Sequence, residues 1–256
     1  FSDKDMVDND LKICLKDDSA GKFFSFVASE DKRELMLNRL PFLLPPYFSA
    51  STFIRIFDLD PKELKKSSSM ASTKILDENG ANLASILQTI LRKKESNKKL
   101  TSLLNEFLPF IDSISVENNP DKSVSYKIRE SYYNKAFYAN FLSDGTVSIL
   151  ALIIALYFEE LSNIIILEEP ERNIHPKLLA NLIASAEDVS KEKQVIITTH
   201  NPEFLKYAKI DDVRLVTRTA CGKTTVAKPS DNSTVRLFLE NDLGLEDLFL
   251  QGLLEG

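Results

Sequence analysis

Two apolar runs separated by one amphipathic segment constrain this chain most. The first, IIILEE, occupies residues 164–169, and the second, QVIITT, occupies residues 194–199. Between them, apolar residues fall at 178, 179, 182, 183, 186 and 189. That is the spacing of one face of a helix starting near Pro176. Strands that are apolar without alternation belong to a parallel sheet covered on both faces. Strand, helix, strand in that texture is the unit of an α/β fold. A mostly apolar helix, SILALIIALYFEEL, precedes the first strand.

The rest of the chain is less regular. Residues 7–30 alternate weakly and fit two short strands joined through DDSAGK. Residues 31–40 fit a short helix, and the prolines of RLPFLLPPYFS then oppose a continuous helix or central strand. The polar, low-complexity stretch 62–73, KELKKSSSMAST, reads as a solvated linker. Residues 82–92 have helical spacing, with Asn82 placed to cap the N-terminus. Residues 100–110 repeat that spacing, and the intervening KKESNKK reads as a solvated turn or, less simply, a basic patch for nucleic acid. ISVENNPDKSVSYKIRES is a hairpin pattern around NNPDK.

Composition excludes several classes. Hydrophobic residues make up 43% of the 256 residues and charged residues 27%, which is ordinary for a globular protein. The net charge of −6 offers no general nucleic-acid footprint. Cys14 and Cys221 are the only cysteines, so neither a disulfide framework nor a cysteine metal site follows, and a reducing cytoplasm is the expected setting. No run approaches the ~18 apolar residues that a membrane span needs. The first residue is Phe1, which is compatible with a part of a longer protein.

Three features carry chemistry. In a regular strand, Glu168 and Glu169 would point to opposite faces. Pro170 ends the strand, so a bend can bring both acids to the crevice at the carboxyl end of the sheet, where open α/β sheets bind ligands. Adjacent carboxylates in such a place need compensation, and a divalent cation with phosphates supplies it. Read alone, the pair fits a solvated acidic turn equally well. The second feature is His200, directly after the neighbouring strand. Parallel pairing would bring it out at the same edge; His175, the only other histidine, follows the acids. The third is NFLSDGTVSILAL. Ser143 can cap the following helix and Gly145 allows close backbone approach. The segment is either a capped buried helix or an anion site at a helix N-terminus.

In this order, the pieces resemble the C-terminal half of an ABC-type ATPase of the RecF, SMC and OLD-like group. LSDGT resembles the signature motif usually written LSGGQ, IIILEEPE resembles Walker B, ERNIHP resembles the D-loop, and the histidine of IITTHNPEF resembles the switch histidine. DLGLEDLFLQGLLEG and GANLASIL also resemble bacterial AAA-type ATPases of the OLD-like kind. The resemblance implies a P-loop NTPase (ABC-ATPase-like) sheet with helices on both faces, plus a helical and β-hairpin insertion. It implies residues 1–60 as part of an N-terminal β lobe, 61–112 as a helical insertion, 113–142 as a hairpin leading to the signature, and 143–256 as ATPase core and tail.

The same resemblance assigns roles. Glu168 would hold Mg²⁺ through water, Glu169 would orient the attacking water, and His200 would contact the γ-phosphate of ATP. Ser143 and Gly145 would bind the γ-phosphate of a nucleotide held by a second protomer, which Asn173 and His175 would face. A homodimer, an effector or nuclease partner, and DNA are the implied partners; DNA repair and antiphage defence are the implied settings. Two positions depart from the pattern: Glu168 stands where Asp is usual, and Asp144 adds a negative charge where many relatives have Gly.

The phosphate loop G-x-x-x-x-G-K-S/T is missing. ACGKTT at 220–225 has Thr217 where the first glycine belongs, follows His200 rather than preceding it, and sits in the alternating pattern of a surface hairpin. SAGKFF at 19–24 lacks both the hydroxyl residue and the preceding glycine. The P-loop is therefore expected before Phe1 or absent from the protein, and the 256 residues alone are expected to be inactive. A dimerisation scaffold of the same fold is the alternative. A nuclease within this chain is disfavoured, because residues 201–256 contain no D-x-D.

Overall fold

A computed structural model describes residues 54–69, 75–219, 221–240, 244–251 and 253, and the backbone of two strands, β1 (Ile13–Lys16) and β2 (Phe23–Phe26). The chain divides into two units, Phe1–Thr52 and Phe53–Gly256. In the first, β1 and β2 pair antiparallel, with Ile13 opposite Phe26, as the alternation predicts. The helix expected at 31–40 and the proline-rich stretch after it lie outside the described residues.

The second unit is built on a parallel sheet. Strands β3 (Ile54–Phe57), β8 (Ile164–Glu168) and β9 (Gln194–Thr198) lie in the order β3-β8-β9. Phe57 pairs with Leu167, which pairs with Ile197, and Glu168 pairs with Thr198. Between β3 and β8 the chain forms α1 (Pro61–Leu64), β4 (Ser68–Ser69), α2 (Leu83–Arg92), α3 (Lys94–Phe107), β5 (Ile111–Asn118), β6 (Ser123–Glu130), β7 (Ala136–Tyr138) and α4 (Asp144–Tyr157). α5 (Leu179–Ser190) links β8 to β9. α6 (Pro202–Leu205), the β10 (Leu215–Arg218) and β11 (Thr224–Ala227) hairpin, α7 (Ser233–Glu240) and α8 (Leu245–Leu250) follow.

The apolar run at 164–167 is explained by its central place. Ile165 and Leu167 are fully buried, and each contributes on the order of 1.5–3 kcal/mol by leaving water. α4 is apolar all round because it is buried all round, from Thr146 through Leu156. The described residues cover the two sheet faces unequally: Ile164 and Ile166 are half-buried, and Ile196 is 39% exposed.

β4, β6, β5 and β7 form a second, antiparallel sheet, with β6 pairing all three others. The β5–β6 hairpin matches its pattern, and Lys122, at φ +64°, closes the turn. Tyr126 of β6 is buried, and its hydroxyl donates to the Leu64 carbonyl at 3.1 Å. Burial raises its phenol far above the ordinary value.

Three local expectations are corrected. Residues 61–69 are not a solvated linker: Leu64 is fully buried, Ser68 pairs with Val124, and its hydroxyl accepts from the Ser85 amide at 2.9 Å. KKESNKK is not a turn, because α3 begins at Lys94 and these residues form its solvent-facing start. Asn82 precedes α2 but makes no side-chain cap bond to it. Its side chain instead accepts from the Asp77 amide at 2.9 Å and donates to the Ile75 carbonyl at 2.8 Å, tying down the loop before the helix.

Candidate functional site

The carboxyl edge of the parallel sheet is where the chain departs from regular geometry. Glu168 ends β8 on its outward face. Glu169 then adopts φ +40°, in the left-handed region that non-glycine residues rarely enter. Such a conformation costs on the order of 1–3 kcal/mol and persists only where the surroundings enforce it. Here the Glu169 amide donates to the Thr198 carbonyl of β9 at 2.9 Å, and Pro170 is buried behind it. The slip breaks strand alternation, and both acids line one recess with Phe57, Ser148 and Asn173. The Ser148 hydroxyl is buried there, with no hydrogen-bond partner among the described residues.

Arg172 supplies a share of the compensation that two adjacent carboxylates require. Its Nε lies 3.0 Å from Glu169 Oε2, and its Nη2 donates to Asp58 Oδ1, just past β3, at 2.8 Å. The guanidinium is held above its ordinary pKa. Partial burial opposes its charge, and the Asp58 hydrogen bond with the attraction of Asp58, Glu169 and Glu168 outweighs that opposition. On its other side, Glu169 Oε1 lies 3.8 Å from His200 Nε2. The His200 side chain is 93% exposed at the end of β9.

The N-terminus of α4 closes against the same loop. Ser143 is its N-cap, accepting from the Thr146 amide at 3.1 Å. A Cβ placed on Gly145 would lie 2.8 Å from the Asn173 carbonyl oxygen, so the expected close approach is real and its partner is backbone. Asp144, the extra acid of the signature-like stretch, is paired with Lys65 at the end of α1. Its charge is thus already met within the chain.

The structure therefore brings Glu168, Glu169, Asn173, Gly145 and His200 to one edge. His175 has a local part there: it is exposed, and its Nδ1 accepts from the Lys177 amide at 3.2 Å, capping the short 3₁₀ turn Pro176–Leu178. Sequence reasoning missed Asp58, Arg172, Glu171 and Lys65. Arg172 is the lone cation inside the acid turn, and that was the available signal.

The donors suit hard divalent cations, Mg²⁺ among them. Carboxylate oxygens are hard ligands, and Mg²⁺ keeps most of its waters and takes only one or two carboxylates beside substrate phosphates. Among the described residues no group of three or more His, Cys, Asp or Glu could hold an ion by itself. Glu168 and Glu169 fit a phosphate-bound Mg²⁺ and do not form a self-sufficient metal cage.

A family described as "AAA domain, putative AbiEii toxin, Type IV TA system" matches residues 26–206, and the chain belongs to that family. Its fold is the P-loop NTPase sheet of the ATPase heads. An SMC head bound to the C-winged helix domain of ScpA is 15% identical, with a TM-score of 0.50, over 68% of this chain and 54% of that one. The chain thus spans about half of that relative. A structure from work on ATP-driven dimerisation and DNA-stimulated activation of SMC ATPases is 15% identical, with a TM-score of 0.46, over 61% of this chain and 97% of that one. The Smc head domain with a coiled coil and joint from Pyrococcus yayanosii is 16% identical, with a TM-score of 0.42, over 62% of this chain and 34% of that one. No curated protein matches. Among the described residues no helix is long and apolar enough to cross a membrane.

Proposed function

We propose that this chain supplies one part of a Mg²⁺-dependent ATP-hydrolysing site that two protomers complete. The observation that supports this reading best is the convergence of Glu168, Glu169 and His200 at the carboxyl edge of a parallel sheet, with Glu169 lying between Arg172 and His200 Nε2. Each group has a task that its position permits. Glu168 holds Mg²⁺ through water, and the ion, when bound, neutralises charge on the phosphates. Glu169 accepts a hydrogen bond from the attacking water and orients it in line. His200, exposed at the strand end, donates to the γ-phosphate.

The α4 N-terminus, with Ser143 and Gly145, presents backbone amides to the γ-phosphate of nucleotide on the second protomer. Asn173, pressed against Gly145, and His175 lie in the loop that faces that protomer. Residues 1–256 contain no G-x-x-x-x-G-K-S/T, and this reading requires a phosphate loop supplied from outside them. Hydrolysis alters the protomer contact and so acts on a partner, with an effector protein, a nuclease and DNA as the partner classes.

The test uses the complete protein that carries these residues, with ATP turnover and nucleotide binding measured side by side. Glu169→Gln should lower turnover by about 10²–10⁴-fold, the range supplied by a positioned proton acceptor, while nucleotide still binds. Turnover at the wild-type rate in that variant would sink the reading.

A further inference from the structure

Glu171 is the third acid of the turn and the only one that is buried, at 8% exposure. Its Oε1 accepts from the Thr199 hydroxyl, at the residue before His200. Oε2 is buried with no hydrogen-bond partner among the described residues. A buried carboxylate holding one bond is expensive for a fold to keep, so its retention at this place needs a reason.

The bonds around His200 give one. The Thr199 hydroxyl donates to Glu171 and accepts from the Asn201 amide at 3.0 Å. Asn201 in turn accepts from the Glu203 amide at 3.0 Å, capping α6. Just before them, the Thr198 carbonyl accepts from the Glu169 amide at 2.9 Å. His200 is therefore bracketed: residues 198, 199 and 201 are tied directly or through one hydroxyl to the acid turn, while its own side chain is 93% exposed and lies 3.8 Å from Glu169. An imidazole so free of packing takes its position from its backbone.

We infer that Glu171, acting through the Thr199 hydroxyl, is a positioning residue for His200, locking the end of β9 to the acid turn so that His200 and Glu169 address the same phosphate. This rests on the ATP-site reading above. The Glu169–Thr198 backbone bond joins the two strand ends, and the Glu171–Thr199 bond extends that tie to the residue next to His200.

The experiment is a double-mutant cycle on the complete protein, read as kcat and KM for ATP, with thermal melting to confirm folding. Thr199→Val and Glu171→Ala should each lower kcat about tenfold, the scale of one lost hydrogen bond expressed in rate, with KM little changed. Thr199→Ser, which keeps the hydroxyl, should restore the rate. In a His200→Ala background neither change should cost anything further. Additive losses in that background, or wild-type kcat in Thr199→Val, would overturn the link while leaving the ATP site standing. If His200→Ala itself leaves turnover intact, the site reading fails. The link is then judged by amide exchange at Asn201, which must quicken in Thr199→Val; unchanged exchange overturns it.

Discussion

Gly145 and Gly222 both sit in stretches that read like nucleotide-binding motifs, and the structure treats them oppositely. A side chain at Gly145 would strike the Asn173 carbonyl, so the glycine exists to let two segments meet. Gly222 takes φ +79° with nothing within 4 Å of its would-be Cβ; it turns the exposed β10–β11 hairpin, where its amide donates to Thr219 at 2.8 Å. One glycine serves a contact and the other serves a bend. GKT lies in an exposed hairpin turn with open space around Gly222, whereas SDG has the acid loop packed on it.

Substitutions break the comparison in order of size. Gly145→Val should be the most damaging. A backbone carbonyl yields less readily than a side chain, so about 1–3 kcal/mol of stability should go, and turnover of the complete protein should drop with it. A wild-type melting temperature in this variant would mean that α4 and the acid loop are not in contact in solution. Gly222→Ala should cost about 1 kcal/mol through the left-handed backbone alone, measured by denaturant melt, with turnover unchanged. Lys65→Ala removes the partner of the half-exposed Asp144, and a few tenths of a kcal/mol is the expected loss; a salt titration of the melting temperature should flatten. Lys223→Ala should change neither stability nor nucleotide affinity. A loss of binding there would make the hairpin a phosphate site and reverse the contrast.

The parts legible in the sequence were those decided locally. The run at 164–167 announced a buried strand, the spacing from 178 to 189 announced its crossover helix, and together they placed His200 beside the acids. Gly145 was legible as a close approach, although not what it approaches. The unread parts depend on partners far along the chain. Arg172 pairs with Asp58, 114 residues away, and no local pattern carries that information. Residues 62–73 looked like linker because, in the described part up to Ser69, a single leucine and one serine hold the chain down. Leu64 is buried with Tyr126 donating to its carbonyl, and Ser68 is bonded to α2, while Lys62 and Lys66 beside them stay in water. The start of α3 misled for the converse reason: its polar residues are helical but face solvent, so they show no apolar period. Compensation of the acid pair was expected from a cation and phosphates, and the chain's own guanidinium already provides a share of it.

The left-handed backbone at Glu169 has a consequence for how strands encode faces. A strand is a two-beat code in which neighbouring letters address opposite sides. One positive-φ residue inserts a half-step, after which two successive letters speak to the same side. Glu168 and Glu169 share a recess on that account, and the proline that follows marks the end of the beat. At this strand end the doubled residue before proline therefore puts two carboxylates into one recess, and a glycine at 169 would keep the rhythm change while erasing the second voice.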